Sequence, residues 1–153
     1  MDYKQALKDQ MEAYYQITAS YRGITMDAAK AARKPGLFKK QDYTPYITGF
    51  RTCIADVRKL GQRQIEIPEE DEGAKRLAEL FDRSVLSFIL LCEENVKFYE
   101  LTDRKQYRDS GVTVKSYAEA ANMLQNMLAG AVRELEKLET AYKEYFADDF
   151  AQQ

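Results

Sequence analysis

Apolar side chains recur along most of this chain about every three and a half residues, and that rhythm predicts helices. In the first predicted helix, Tyr3, Leu7, Gln10, Tyr14, Ile17, Tyr21, Ile24, Ala28 and Ala31 alternate steps of four and three. Such a heptad stripe faces a partner helix. Gly23 leaves the phase intact, so a single helix is expected over 3–33, with Lys34-Pro35-Gly36 ending it. Proline disfavours the helical conformation at the residue before it, and glycine permits the turn. Thr44-Pro45 restarts the pattern: threonine caps, and proline lacks an N–H that the first helical turn leaves unused anyway. The second helix, 45–66, carries Ile47, Phe50, Ile54 and Val57, fades after Ile65 and stops before Pro68.

The third predicted helix, 69–109, opens on Glu69, Glu70, Asp71 and Glu72, whose charge suits the positive end of a helix dipole. Its apolar positions run from Leu77 through Phe81, Val85, Phe88 and Cys92 to Val96 and Tyr99. Glu72–Arg76, Glu79–Arg83, Glu93–Lys97 and Glu100–Arg104 stand at the four-residue spacing that brings opposite charges together on an exposed face. Ser110-Gly111 closes the helix with a left-handed glycine cap. The fourth helix, 114–147, has the least interrupted stripe: Val114, Tyr117, Ala121, Leu124, Leu128, Ala131, Leu135, Leu138, Tyr142 and Tyr145. Ser116 and Glu119 have capping-box spacing, and Thr113 offers a start one turn earlier.

Short connections after the second and third helices make successive helices antiparallel. The expected fold is all-α: one domain over 1–153, an antiparallel up-down-up-down four-helix bundle with coiled-coil-like seams. The third and fourth helices outlast the second, which leaves part of their seams without cover in a single copy of the chain.

Composition changes little in this picture. Seven glycines and three prolines in 153 residues are too few for a turn-rich β protein. The net charge of −2 divides into +5 over residues 1–66 and −7 over residues 67–153. These halves lie against each other in such a bundle, so the imbalance reads first as internal complementarity. The longest apolar run, Val85 to Cys92, has eight residues, far below the roughly 20 that span a bilayer. No apolar leader follows Met1, and the chain is expected to be cytoplasmic and free of membrane. Cys53 and Cys92 read as buried free thiols: a hairpin turning near Pro68 offsets them by roughly 12 Å along the axis, beyond the ~7 Å reach of a disulfide.

The absence of histidine removes the Glu-x-x-His pairs of a di-iron bundle, the usual haem ligand and any imidazole base for the thiols. No phosphate-binding loop or dinucleotide fingerprint is present. No catalytic residue, cofactor or metal site is therefore expected, and the chain reads as a non-enzymatic interaction or adaptor module. Its apolar and tyrosine-rich helix faces would carry the contact, with self-association into a homo-oligomer or capture of a protein partner. Residues 85–92 are apolar nearly all round, which nominates Leu86, Leu90, Phe88 and Ile89 as the interface. A second reading is nucleic-acid or other polyanion binding by the 30–40 connector, where Lys30, Arg33, Lys34, Lys39 and Lys40 surround Leu37 and Phe38. A third is a small-ligand sensor with a pocket between helices, near a polar seam residue such as Asn95.

Overall fold

The computed structural model describes residues 2–33 and 40–148, and among these the chain forms helices and no strand. The helices are α1 (Tyr3–Arg33), α2 (Thr44–Gly61), α3 (Glu72–Lys105) and α4 (Val114–Tyr145). Together they make an antiparallel four-helix bundle. α1 and α3 rise together, since Tyr3 meets Asp71, Tyr14 meets Ser84 and Tyr21 meets Asn95. α2 descends beside them: Arg51 reaches Glu100 at 3.0 Å and Arg58 reaches Glu93 at 3.4 Å. α4 descends along α3, bringing the Tyr117 ring to Phe98 and the Tyr145 ring to Gly73.

α1 has the expected span and runs unbroken through Gly23. α4 also starts where expected and α2 starts one residue earlier, at Thr44, while the ends of α2, α3 and α4 and the start of α3 move inward for local reasons. α2 ends at Gly61, where the Gln62 N–H turns back to the Arg58 carbonyl. The buried Gln10 amide donates to the Leu60 carbonyl at 2.8 Å, satisfying one of the acceptors that a helix end leaves open. Gln10, a polar residue on an apolar seam, is thus a cap for a neighbouring helix. Residues 62–71 are not helical, yet Ile65 and Ile67 still pack against the core. α3 starts at Glu72 rather than 69 because Asp71 is its cap, with Oδ1 accepting the Ala74 N–H at 3.0 Å. It stops at Lys105; Gly111, with φ +74°, turns the connector further on. At the head of α4, Thr113 and Ser116 exchange side-chain and backbone hydrogen bonds, so Ser116 is the third helical residue and Thr113 the cap.

Of the four charge pairs expected along α3, Glu79–Arg83 forms at 3.0 Å. Glu93 and Glu100 turn instead to the α2 arginines, while Lys97 pairs with Glu94 and Arg76 with Glu79. Each pair has at least one exposed partner and contributes about 0.5 kcal/mol or less.

The core is built on aromatic rings. Tyr14 sets its edge against Phe81 and Phe88, Tyr21 against Phe88, and Phe50 stacks on Tyr99. Two seam tyrosines lie inside the bundle rather than at wet ends. Tyr14 Oη shares a 2.7 Å hydrogen bond with Ser84, and Tyr21 Oη accepts from Asn95 Nδ2 at 2.8 Å. Burial pushes both phenols well above their usual range. Cys53 and Cys92 are buried free thiols, raised by desolvation. At the opposite end of the seam, Asp71 Oδ2 accepts from Tyr3 at 2.6 Å and Tyr145 at 2.8 Å. One carboxylate thereby caps α3 and ties α1 and α4 to its first turn. These hydrogen bonds, Tyr3 foremost, hold the Asp71 carboxyl below its ordinary value.

Among the described residues, no helix is long and apolar enough to cross a membrane.

Candidate functional site

α1 carries large rings at its core positions, Tyr14 and Tyr21, and both are hydrogen-bonded to α3, which lies diagonally across the bundle. α4 presents alanines, Ala121 and Ala131, at matching positions of its own seam. The rings hold α1 against α2 and α3, and the small side chains of α4 do not fill the remaining distance. Among the described residues, no Cα of α1 comes within 8 Å of any Cα of α4. Packed helices normally have axes only ~8–10 Å apart.

Near the lower end, side chains of these two helices meet. The Tyr15 and Tyr142 rings meet edge to face at 5.6 Å, and Tyr142 donates to Glu12 at 3.3 Å. The Tyr15 hydroxyl is buried without a protein partner, and burial first, then the nearby Glu139 charge, raise its pKa. Above this closure the bundle is open. A slot of about 100 Å³ runs between α1 and α4, walled by Tyr14, Thr18, Tyr21 and Arg22 and by Leu128, Ala131, Val132 and Leu135. Phe88 and Leu91 of α3 form its floor. Its lining is almost wholly apolar, because the Thr18 hydroxyl is turned back onto the Tyr15 carbonyl at 2.9 Å.

The α4 seam records this opening. Leu138 and Tyr142 are buried, whereas Leu124, Leu128 and Leu135 are only half-buried, and Val132 and Met123 stand 43% and 46% exposed. A surface of this kind, apolar and contiguous, marks a contact site more often than isolated exposed leucines do.

The four side chains nominated from residues 85–92 do not form one surface. Phe88 is in the core against Tyr14 and Tyr21, and Ile89 is half-buried. Leu86 and Leu90 are 61% and 42% exposed. They lie two residues to either side of Phe88, and two residues turn a helix by roughly 200°, so both point directly away from the core. They make a small patch on the outer face of α3, apart from the slot.

The basic connector is described in part. Lys30 and Arg33 occupy the last turn of α1, while Lys34 and Lys39 lie outside the described residues. Lys40 donates to the Gln106 carbonyl at the end of α3 and stands 4.8 Å from the Tyr107 ring centre. The Gln41 N–H donates to Gln106 Oε1 at 2.7 Å, and Gln106 Nε2 returns a bond to the Gln41 carbonyl at 3.0 Å. This lashing brings Lys105, over the Tyr117 ring at 4.0 Å, to the connector. A second concavity results, about 250 Å³ and mostly polar, with Lys40, Gln41, Tyr43, Thr102, Lys105 and Gln106 in its wall. Lys105 was not legible as a member of this group, since 65 residues of chain separate it from Lys40.

Asn95 lines neither cavity: its amide is engaged by Tyr21 Oη and the Leu91 carbonyl. Neither set of residues brings a nucleophile together with a base. Compared with protein-family models, with curated proteins and with solved structures, the chain matches none.

Proposed function

We infer that the protein is a non-enzymatic interaction module, whose working surface is the open α1–α4 side of the bundle. A second copy of the chain is the first partner to test. The observation that carries this reading is the half-buried leucine row of α4 beside an apolar slot. Covering apolar area contributes about 25 cal/mol per Å² removed from water, so a stripe left half in solvent favours any complementary apolar face. Tyrosine suits such a surface, because its ring is covered at little entropic cost while its hydroxyl stays wet or bonded.

Sedimentation velocity over roughly 1–200 μM, a range that brackets modest interface affinities, tests it. Association that strengthens with concentration and disappears in Val132→Glu supports the reading; Val132 is already exposed, so the substitution leaves the core intact. Association lost in Leu86→Glu with Val132→Glu unaffected would transfer the role to the outer α3 patch. A monomer throughout, with no partner bound by the native chain and released in Val132→Glu, refutes it.

A further inference from the structure

We propose that the polar concavity at the connector end is a binding site for a small phosphate-bearing molecule, held between the ammonium groups of Lys40 and Lys105. The inference is independent of the open α1–α4 side.

The charge balance at this end departs from the rest of the chain. The described parts of segments 30–43 and 102–110 together hold six basic and three acidic residues, a surplus of +3 in a chain of net charge −2. The Gln41–Gln106 hydrogen bonds place the two segments side by side. The surplus is therefore concentrated in space, although each segment alone reads as an ordinary basic loop or helix end.

The manner in which the two lysines are held matters more than their number. Several cations elsewhere lean on carboxylates, as Arg51 does on Glu100, Arg58 on Glu93, Arg83 on Glu79 and Lys75 on Glu69. Lys40 and Lys105 instead stand over the faces of Tyr107 and Tyr117. A ring face positions an ammonium group through its quadrupole and leaves the full positive charge available. Lys40 spends one of its three N–H donors on the Gln106 carbonyl, which leaves two.

Among the described residues no carboxylate forms an ion pair with Lys40 or Lys105, and the two acids nearest them in sequence turn to backbone and amide donors. Asp42 accepts the Thr44 N–H at 3.0 Å, which holds its carboxyl below the usual range. Asp103 Oδ1 accepts from Gln106 Nε2 at 3.3 Å. Two ammonium groups without an ion-pair partner among the described residues therefore share one concavity with the Gln41 side chain.

Charge and size together select the ligand class. A phosphate monoester carries about −1.5 to −2 at neutral pH, against +2 from the two lysines, and its oxygens accept several bonds at once. A cavity of about 250 Å³ holds that group and a small organic remainder. It is an open concavity between two helix ends, whereas a polymer backbone needs an extended stripe of cations.

The test is a titration of the ¹⁵N-labelled full chain with sodium pyrophosphate in ~50 mM salt, where such contacts are little screened. Saturable shifts are expected at the Gln41, Thr102 and Gln106 amides. Lys40→Gln and Lys105→Gln should each weaken binding by about tenfold, the loss of one charge-assisted contact. Lys30→Gln with Arg33→Gln removes two nearby charges outside the cavity wall and should change affinity less than about twofold, the residue of long-range attraction. All four positions lie on the surface, and an unchanged amide spectrum away from this end confirms the fold of each variant. A single-stranded oligonucleotide forms the second arm. The proposal is overturned if no saturable shift appears, if the Lys30/Arg33 variant loses as much as Lys105→Gln, or if the oligonucleotide binds and pyrophosphate does not.

Discussion

Leu128 and Leu138 belong to one heptad stripe, and a uniformly closed bundle would make them energetic equals. The structure makes them unequal, which a pair of truncations reads directly. Leu138 is fully buried, and Leu138→Ala removes three carbons from a close-packed site. At about 0.8 kcal/mol per buried methylene the transfer term is roughly 2.4 kcal/mol, and the new cavity raises the loss to about 3–4 kcal/mol. Leu128 already borders the slot and is half-buried. Leu128→Ala enlarges an existing space instead of opening a new one, so about half the transfer term applies, roughly 1 kcal/mol. In a chain of this size 1 kcal/mol corresponds to about 2–4 °C in Tm, so the expected falls are roughly 6–16 °C and 2–4 °C. Urea unfolding followed by circular dichroism gives both free energies, provided the slopes m are unchanged. Losses within about 0.5 kcal/mol of each other, the spread of ordinary context effects, would refute the openness of the α1–α4 side.

Other expectations follow from the same contacts. Tyr14 and Tyr21 keep their protons in the fold at a pH where the unfolded chain releases them. The stability they contribute is complete below pH ~10 and falls as pH rises above it, by up to about 1.4 kcal/mol per pH unit for each; a urea midpoint unchanged between pH 8 and pH 11 contradicts this. Gly23 sits within α1 with nothing inside 4 Å of an added Cβ, so Gly23→Ala should raise stability by about 0.5–1 kcal/mol. Gly111, at φ +74°, should respond in the opposite sense, Gly111→Ala costing about 1 kcal/mol; a gain there would mean the turn differs. Tyr14→Phe strips the bond from buried Ser84 and should cost about 1 kcal/mol, with little further loss when Ser84→Ala is added, as a double-mutant cycle would show.

The architecture was legible because α1 and α4 obey one period throughout: nothing in 3–33 or 114–145 competes with the heptad. The ends were harder. Ile65 and Ile67 prolong the apolar signal of α2, yet they are two apart, a spacing that serves a non-helical segment packed on the core as well as a fading helix. The acidic run at 69–72 suits a helix start anywhere within it, and only the Asp71–Ala74 hydrogen bond fixes which residue caps. The expectation that α3 and α4 outlast α2 pointed towards uncovered seam without saying where. That depended on Tyr14 and Tyr21 bonding to α3, a choice of partner that periodicity does not encode. Phe88 was assigned to a surface because its neighbours Leu86 and Leu90 are equally apolar, and hydropathy alone does not separate a core position from one 200° around the helix. The Lys40–Lys105 pairing is a property of two chain ends meeting and has no local signature.

Amide hydrogen exchange at about 2 and 200 μM protein, concentrations spanning the range of ordinary interface affinities, tests the interaction surface most directly. Slower exchange is expected at the higher concentration in α1 from Thr18 to Ala29 and in α4 from Ala121 to Leu135, with α2 and the lower half of α3 unchanged. Exchange that is the same at both concentrations along α1 and α4, or protection that appears around Leu86 and Leu90 instead, contradicts that expectation.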